Sequence, residues 1–421
     1  MPGDKSISHR ALILGGLAVG ETRISGLLEG SDVLATAAAM RAFGASVEKQ
    51  EGEWLVHGVG VGGLLQPSGA LDMGNAGTPA RLLMGVAASH AVTACFTGDR
   101  SLSRRPMKRV IEPLSLMGAS FSAAPGETLP LIVTGSSPAV PIRYRLPVAS
   151  AQVKSAIMFA ALNTPGITTV VEPTVSRDHT ERMLRAFGAD VLEGEEDGER
   201  QLQVRGDAEL TPQIVSIPGD PSSAAFFIVA ALLVEGSDLF IKNVGMNPTR
   251  SGLIQVLRQM GGRIKELNAR EVGGEPVADL RVTHSPLKGV DVDPALAPSM
   301  IDEFPALFVA AALAKGQTVT RGLEELRVKE SDRLSAMADA LALAGVQVQE
   351  TADGLIIDGT GGEPLRGTEE KEAVATLLDH RVAMSMAVAG LVSRNGVLVD
   401  DTRPIATSFP RFVELLAEVK G

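Results

Sequence analysis

Six stretches of this chain are apolar on nearly every side of a helix: "SISHRALILGGLA", "NAGTPARLLMGVAA", "SAQVKSAIMFAAL", "PSSAAFFIVAALLV", "DEFPALFVAAAL" and "DHRVAMSMAVAGLV". A helix without a polar face must be covered by protein all round, so each is expected inside a domain. Each begins with a capping Ser, Asp or Asn. Even the longest apolar run, "AAFFIVAALLV", falls short of the roughly 20 residues that span a bilayer. Between them lie more amphipathic helices that end near Gly, such as "ATAAAMRAFGA", "ERMLRAFGA" and "LIQVLRQMGG", followed by short β-patterned runs such as "EWLVHGV", "LPLIVTG" and "QLQVRG". The repeating unit is strand, buried helix, strand, exposed helix and strands, about 70 to 80 residues long and present six times.

The natural break is at "SIPGDPSS", around Pro218, which leaves three units on each side. Aromatic residues make up only 3% of the 421, with one Trp and one Tyr, so the cores are built from Ala, Val, Leu, Ile and Met. Small side chains of this kind permit closely packed helices. "EGEEDGER" and "GTGGEPLRGTEEKE" read as solvated hairpin tips. By the pattern's own rule the ends are unusual: only Met1 to Gly3 precede the first buried helix, and "FPRFVELLAEVKG" stops on a helix without closing strands. The chain is either trimmed there or short of a sheet edge.

A net charge of −11 argues against a protein that coats nucleic acid with a broad basic face. The six histidines show no metal-ligand spacing, and a single cysteine, Cys95, excludes an internal disulfide. Cys95 sits in "VTACFTGD", which reads as a buried strand. No signal peptide is evident, and a cytoplasmic setting is expected.

Chemistry-bearing residues gather where the buried helices begin. "MPGDKSISHR" puts Lys5 and His9 on one helix face and Ser6 and Arg10 on another. Cations there oppose the helix dipole, and an anion at the same place would offset that. "GNAGT" brings Asn75 and two glycines that let backbone N–H groups approach a ligand. "GDRSLSRRPM" carries Arg100, Arg104 and Arg105, of which the adjacent Arg104 and Arg105 must point differently. "SAQVKSA" presents Ser150 and Gln152, "SRDHTER" Arg177, and "SMIDEFPAL" Asp302. "RVKESDRL" spaces Lys329 and Arg333 one helical turn apart beside Glu330, and "LDHRVAMS" places Arg381 at a helix mouth. Singly, each reads as a cap or a surface ion pair. Together, cations from both halves would converge if the buried helices aimed their N-termini at the interdomain cleft. Two charges 4 Å apart interact by about 4 kcal/mol at an effective dielectric of 20, so such a cluster implies a strongly anionic ligand.

In order along the chain, "PGDKSISHR", "GNAGT", "RPM", "SAQVKSA", "PGDPSSAAF", "IDEFP", "RVKESDR" and "DHR" resemble the EPSP synthase family, the 3-phosphoshikimate 1-carboxyvinyltransferases of the shikimate pathway. "ASAQVKSA" is similar to its class II branch. The resemblance implies an α/β fold, the two-domain inverse α/β barrel of enolpyruvyl transferases, with six βαβαββ repeats, three per domain. The lobes would cover 4–217 and 218–421, the second together with residues 1–3. The implied reaction moves the enolpyruvyl group of phosphoenolpyruvate onto the 5-hydroxyl of shikimate 3-phosphate through a tetrahedral intermediate, with release of phosphate. It implies no cofactor and no metal, a monomer, and no nucleic-acid or membrane partner.

Carried over by motif, Lys5, Ser6, Arg10, Ser150, Ala151, Gln152, Arg177, Asp302 and Lys329 would bind shikimate 3-phosphate. Lys5, Asn75, Gly77, Arg105, Gln152, Arg333 and Arg381 would bind phosphoenolpyruvate. Asp302 would take the 5-hydroxyl proton, Glu330 would protonate the methylene carbon, and Lys5 would assist proton transfer. Arginine forks suit carboxylate and phosphate. Closure of the halves would keep water from a reactive cationic species. His9 and His380 are expected to cap helices or to stand behind the contacting groups. Glyphosate would occupy the phosphoenolpyruvate place, and Gly77 implies sensitivity, since a methyl group there crowds the inhibitor. Two departures stand out: Thr407 in "IATSFP" replaces a late Lys, and the absent N-terminal strand would weaken the second domain's sheet. A UDP-N-acetylglucosamine enolpyruvyl transferase would rely on a loop cysteine, whereas Cys95 lies in an apolar run. A non-catalytic anion-binding repeat protein would not need Asp302, Lys329 and Glu330 together.

Overall fold

The computed structural model describes residues 1–370 and 372–420; Lys371, in the second acidic stretch, and Gly421, which ends the second lobe expected above, lie outside the described residues. The chain forms two compact units. The first holds Gly3–Ile217 with Val272–Gly274, and the second holds Met1–Pro2, Pro218–Glu271 and the chain from Glu275 onward.

The first unit runs α1 (Lys5–Leu17), β1 (Val19–Ser25), α2 (Ser31–Ala42), β2 (Ser46–Gln50), β3 (Glu53–Val59), then β4 (Leu71–Asp72), α3 (Gly77–Ala88), β5 (Thr93–Thr97), α4 (Lys108–Leu116), β6 (Ser120–Ala124), β7 (Thr128–Thr134). It continues with β8 (Arg143–Arg145), α5 (Ala151–Leu162), β9 (Ile167–Glu172), α6 (His179–Ala186), β10 (Val191–Glu196), β11 (Glu199–Arg205) and β12 (Ile214–Ser216). Three four-stranded sheets share one order: β12-β1-β3-β2, β4-β5-β7-β6 and β8-β9-β11-β10. In each, the first two strands are parallel and the rest antiparallel. The strand expected ahead of α1 is therefore supplied by β12, from the far end of the unit.

The apolar helices α1, α3 and α5 are buried along almost their whole length, as their composition requires. Strands such as β7 alternate buried and exposed residues, one face toward those helices and one toward water. Helices lie inside and sheets outside, and among the described residues no sheet closes into a barrel. The small residues do what the composition suggested: a β-carbon on Gly85 of α3 would lie 2.2 Å from the carbonyl oxygen of Ala156 in α5. The acidic "EGEEDGER" is the β10–β11 hairpin, turning at Asp197 and Gly198, which have φ of 54° and 76°. Cys95 lies on β5 as expected but is half-buried, because alternation turns its neighbours Ala94 and Phe96 inward instead.

The second unit runs α7 (Pro221–Leu233), β13 (Asp238–Gly245), α8 (Gly252–Gln259), β14 (Arg263–Val272), β15 (Glu275–Thr283), α9 (Ala297–Met300), α10 (Phe304–Leu313), β16 (Lys315–Val319), α11 (Arg333–Leu343), β17 (Gln347–Glu350), β18 (Leu355–Thr360), α12 (His380–Leu391) and α13 (Phe412–Lys420). Its sheets are three-stranded, β13-β15-β14 and β16-β18-β17, and their parallel edges shrink to single bridges at Gly219–Val244, Lys288–Lys315 and Asp291–Val319. Among the described residues the sixth repeat shows the bridges Leu365–Ser393 and Val374–Val399, and α13 follows it. Phe226 and Phe227 of α7 pack edge-on against Phe412, with ring centroids 5.9 and 5.8 Å apart, which anchors α13 to the core.

Candidate active site

In the first unit the expected residues lie at three helix starts. Asp4 caps α1 by accepting from the Ile7 N–H at 2.9 Å, which places Lys5 and Ser6 in the first turn. Lys5 is half-buried, its Nζ 3.0 Å from Asp32 Oδ2. Arg10 is buried, and its guanidinium donates to Thr180 Oγ1 at 2.7 Å, Ser155 Oγ at 2.8 Å and Ser6 O at 2.9 Å. Those bonds tie α1 to α5 and α6. His9 hydrogen-bonds Thr36 through Nδ1 at 2.7 Å. Burial, then the charges of Lys5 and Arg10, push its pKa well below the ordinary histidine value against the pull of Asp4. His9 is thus a neutral core group.

Gly77 opens α3, and Asn75 stands just before it. Asn75 accepts from Arg105 Nη2 at 2.5 Å and donates to Asp99 Oδ2 at 2.7 Å. Arg105 is buried against Asn75, whereas Arg100 and Arg104 are exposed. Ser150 caps α5, Ala151 begins it, and Gln152 donates to Thr78 Oγ1 and accepts from Arg81 Nη1, both at 2.9 Å. Starts touch starts here, and Gly85 touches Ala156 mid-helix, so α3 and α5 run parallel. Arg177 is half-buried in the segment leading to α6.

In the second unit the five expected residues form one connected cluster. Wholly buried Arg333 donates from Nε to Asp379 Oδ2 at 2.8 Å, from Nη1 to Asp302 Oδ1 at 3.2 Å and from Nη2 to Glu330 Oε2 at 2.5 Å. Burial works against its charge, but Asp379, Glu330 and Asp302 outweigh that and hold the proton well above the ordinary arginine range. Lys329 Nζ lies 3.9 Å from Asp302 and 2.5 Å from Glu325, and Arg381 Nη1 donates to the Asp302 carbonyl at 2.9 Å. One expectation needs correcting. Lys329 and Arg333 do not share a helical turn, because α11 begins at Arg333 with Asp332 as its cap, and Lys329 and Glu330 sit in the preceding loop. That loop bends Glu330 back onto Arg333.

Reading the motifs missed Asp379, which caps α12 through the Arg381 N–H at 2.9 Å and anchors Arg333. Its signal is the capping Asp of "DHR", which directly precedes α12. Arg81 was also missed, although it lies four residues beyond Gly77, on the same helix face. Thr407, at the place of the late Lys, donates its hydroxyl to Pro404 O within its own turn.

The chain is 71% identical over 418 residues to the 3-phosphoshikimate 1-carboxyvinyltransferase of Novosphingobium aromaticivorans, covering 99% of this chain and 95% of that protein. It is 65% identical over 423 residues to the one from Sphingopyxis alaskensis, covering 99% and 94%. The solved EPSP synthase of Acinetobacter baumannii superposes with a TM-score of 0.86 at 46% identity, over 99% of this chain and 94% of that one. The enolpyruvyl transferase NikO of Streptomyces tendae, at 16% identity and a TM-score of 0.75 over 99% and 93%, shares the fold. A sequence model described as EPSP synthase (3-phosphoshikimate 1-carboxyvinyltransferase) matches residues 1–416, a span that takes in both units and every site residue named above, and the chain belongs to that family.

Proposed function

We infer that this chain transfers the enolpyruvyl group of phosphoenolpyruvate to the 5-hydroxyl of shikimate 3-phosphate, in the route to aromatic amino acids. The observation that carries the reading is the Arg333 fork, which holds a carboxylate suited to a base, Asp302, and one suited to an acid, Glu330, on its two terminal nitrogens. Asp302 takes the 5-hydroxyl proton while Glu330 gives one to the methylene carbon of phosphoenolpyruvate. The 5-hydroxyl oxygen bonds to C2, giving a tetrahedral intermediate. Loss of a proton from the new methyl group then restores the double bond as the C2–O bond to phosphate breaks and inorganic phosphate leaves.

Lys329 is assigned to the shikimate ring, and Arg333 and Arg381 to the charged groups of phosphoenolpyruvate. In the first unit, Lys5, Ser6, Arg10, Ser150, Ala151, Gln152 and Arg177 are assigned to shikimate 3-phosphate. Asn75, Gly77 and Arg105, together with Lys5 and Gln152, are assigned to phosphoenolpyruvate. Capped helix starts with adjacent cations suit both polyanions in a chain whose net charge is −11.

Phosphate release should require both substrates. Glu330→Gln should lower turnover on the order of 10² or more while shikimate 3-phosphate still binds. Arg105→Ala should chiefly raise the KM for phosphoenolpyruvate. Phosphate release without shikimate 3-phosphate, or a near-normal Glu330→Gln rate, refutes the assignment. We further infer a cytoplasmic monomer that glyphosate inhibits in competition with phosphoenolpyruvate; a sedimentation coefficient of a dimer at working concentration would contradict the first point. Among the described residues no helix is long and apolar enough to cross a membrane.

A further inference from the structure

Beneath the helix starts of the first unit lies a charge network that the reaction steps above leave unused. Lys154 of α5 is wholly buried, its Nζ 2.9 Å from Glu172 Oε1 and 2.7 Å from Glu181 Oε1, two carboxylates that are wholly buried themselves. Arg200 Nη1 lies 2.8 Å from Glu172 and 3.4 Å from Glu181 while its Nε pairs with exposed Glu193 at 2.6 Å, so two positive charges face two buried negative ones and a third at the surface. Ionic groups taken from water carry a desolvation penalty, and apolar residues of similar volume often stabilise a core as well or better. The reason for this network must lie in what it holds.

It holds Ser176, the residue before Arg177. The Ser176 N–H and hydroxyl donate to Glu172 Oε1 at 3.3 and 2.6 Å, and its carbonyl accepts from Lys154 Nζ at 3.4 Å. With all its polar groups bonded, the backbone that leads into Arg177 is fixed in direction. The same network reaches Arg10. Glu181 neighbours Thr180, and Lys154 neighbours Ser155; these two hydroxyls are the ones that accept from the Arg10 guanidinium, and they lie 2.6 Å apart.

We propose that Lys154 is a positioning residue for shikimate 3-phosphate: with Glu172 and Glu181 it sets the directions of Arg177 and Arg10 without touching the substrate. This rests on the assignment of those groups to shikimate 3-phosphate made above. Lys154→Met alone would leave two buried carboxylates against one arginine, so the test uses the charge-balanced pair Lys154→Met with Glu181→Gln. Ser176→Ala, which removes one hydroxyl bond, and Arg177→Ala accompany it. Shikimate 3-phosphate affinity is measured by calorimetric titration, both KM values by phosphate release, and folding by thermal melting.

The expected result is a weakening of shikimate 3-phosphate binding on the order of ten- to hundredfold in the double variant and a few-fold in Ser176→Ala, with the KM for phosphoenolpyruvate changed by less than about twofold. If the double variant does not fold, Ser176→Ala decides alone by the same split between the two constants. Equal rises in both KM values, or wild-type binding in both network variants while Arg177→Ala binds weakly, would make the network structural only and overturn the proposal. Unchanged binding in Arg177→Ala would instead remove the substrate assignment, and the proposal with it.

Discussion

A β-carbon on Gly77 would lie 3.0 Å from Nη1 of both Arg105 and Arg81 and 3.4 Å from Leu102 Cδ1. The crowded atoms are mostly far ends of flexible side chains, so Gly77→Ala displaces two guanidinium groups and leaves the backbone in place. The fold can absorb this by turning those side chains, but a guanidinium moved off a bound anion loosens charge-assisted hydrogen bonds worth about 1.5–3 kcal/mol, a factor of roughly 10 to 150 in an affinity. The expectation is a normal melting temperature, a raised KM for phosphoenolpyruvate, and a larger loss of glyphosate inhibition; equal inhibition of the variant and the parent would contradict it. Most of the candidate residues were legible because each sits beside a helix start, where Gly, Asn or a capping acid marks the sequence. Asp379, Arg81 and Lys154 were not, because their importance lies in partners such as Arg333, Gln152 and Glu172 that are distant in sequence.

Between elements, α3 and α5 meet backbone to backbone at Gly85. A methyl group there meets the backbone carbonyl of Ala156, which cannot turn aside as a side chain can. Gly85→Ala should therefore cost about 1–3 kcal/mol or more in urea unfolding. Gly194→Ala in β10, where a β-carbon meets nothing within 4 Å, should stay within about 0.5 kcal/mol. Similar midpoints for the two variants would refute the close-packing account. At this scale apolar periodicity identified the buried helices well, since a segment with no polar face has one place to go. It failed at "RVKESDRL", where polar spacing compatible with a helix belongs to a loop stopped by the Asp332 cap. It also failed at Cys95, where strand alternation decides exposure and an apolar run hides the phase.

For the molecule as a whole, the burial of His9 and His90 makes stability depend on pH. His90 accepts from the Gly62 N–H at Nε2 and contacts the Val86 carbonyl through Nδ1, an arrangement that suits the neutral ring. Burial lowers its pKa more than the Val86 bond raises it, and His9 is lowered further still. Both pKa values lie below the unfolded value of 6.5, so the unfolded chain takes up protons first as pH falls. The contribution of these two histidines should be level above about pH 6.5 and decline below it, by up to roughly 1.4 kcal/mol per pH unit for each, beneath any decline that the N-terminal amine, lowered by burial, begins nearer pH 8. Urea midpoints measured from pH 8 to pH 5 test this, and a flat profile contradicts it.

The three-and-three organisation of repeats was readable from the hydrophobic pattern, but the origin of the first sheet's outer strand was not. Pattern reports what a segment is and says nothing of which distant segment lies beside it. Ser25 and Ser216 face each other across 191 positions of chain. During synthesis β1 therefore waits with a bare edge until the ribosome has released nearly the whole first unit, and its α2–β3 neighbours cannot seal that side for it. Completing the sheet closes a long loop late, which should make this pairing a slow event in refolding and any fragment ending before Ile214 prone to self-association.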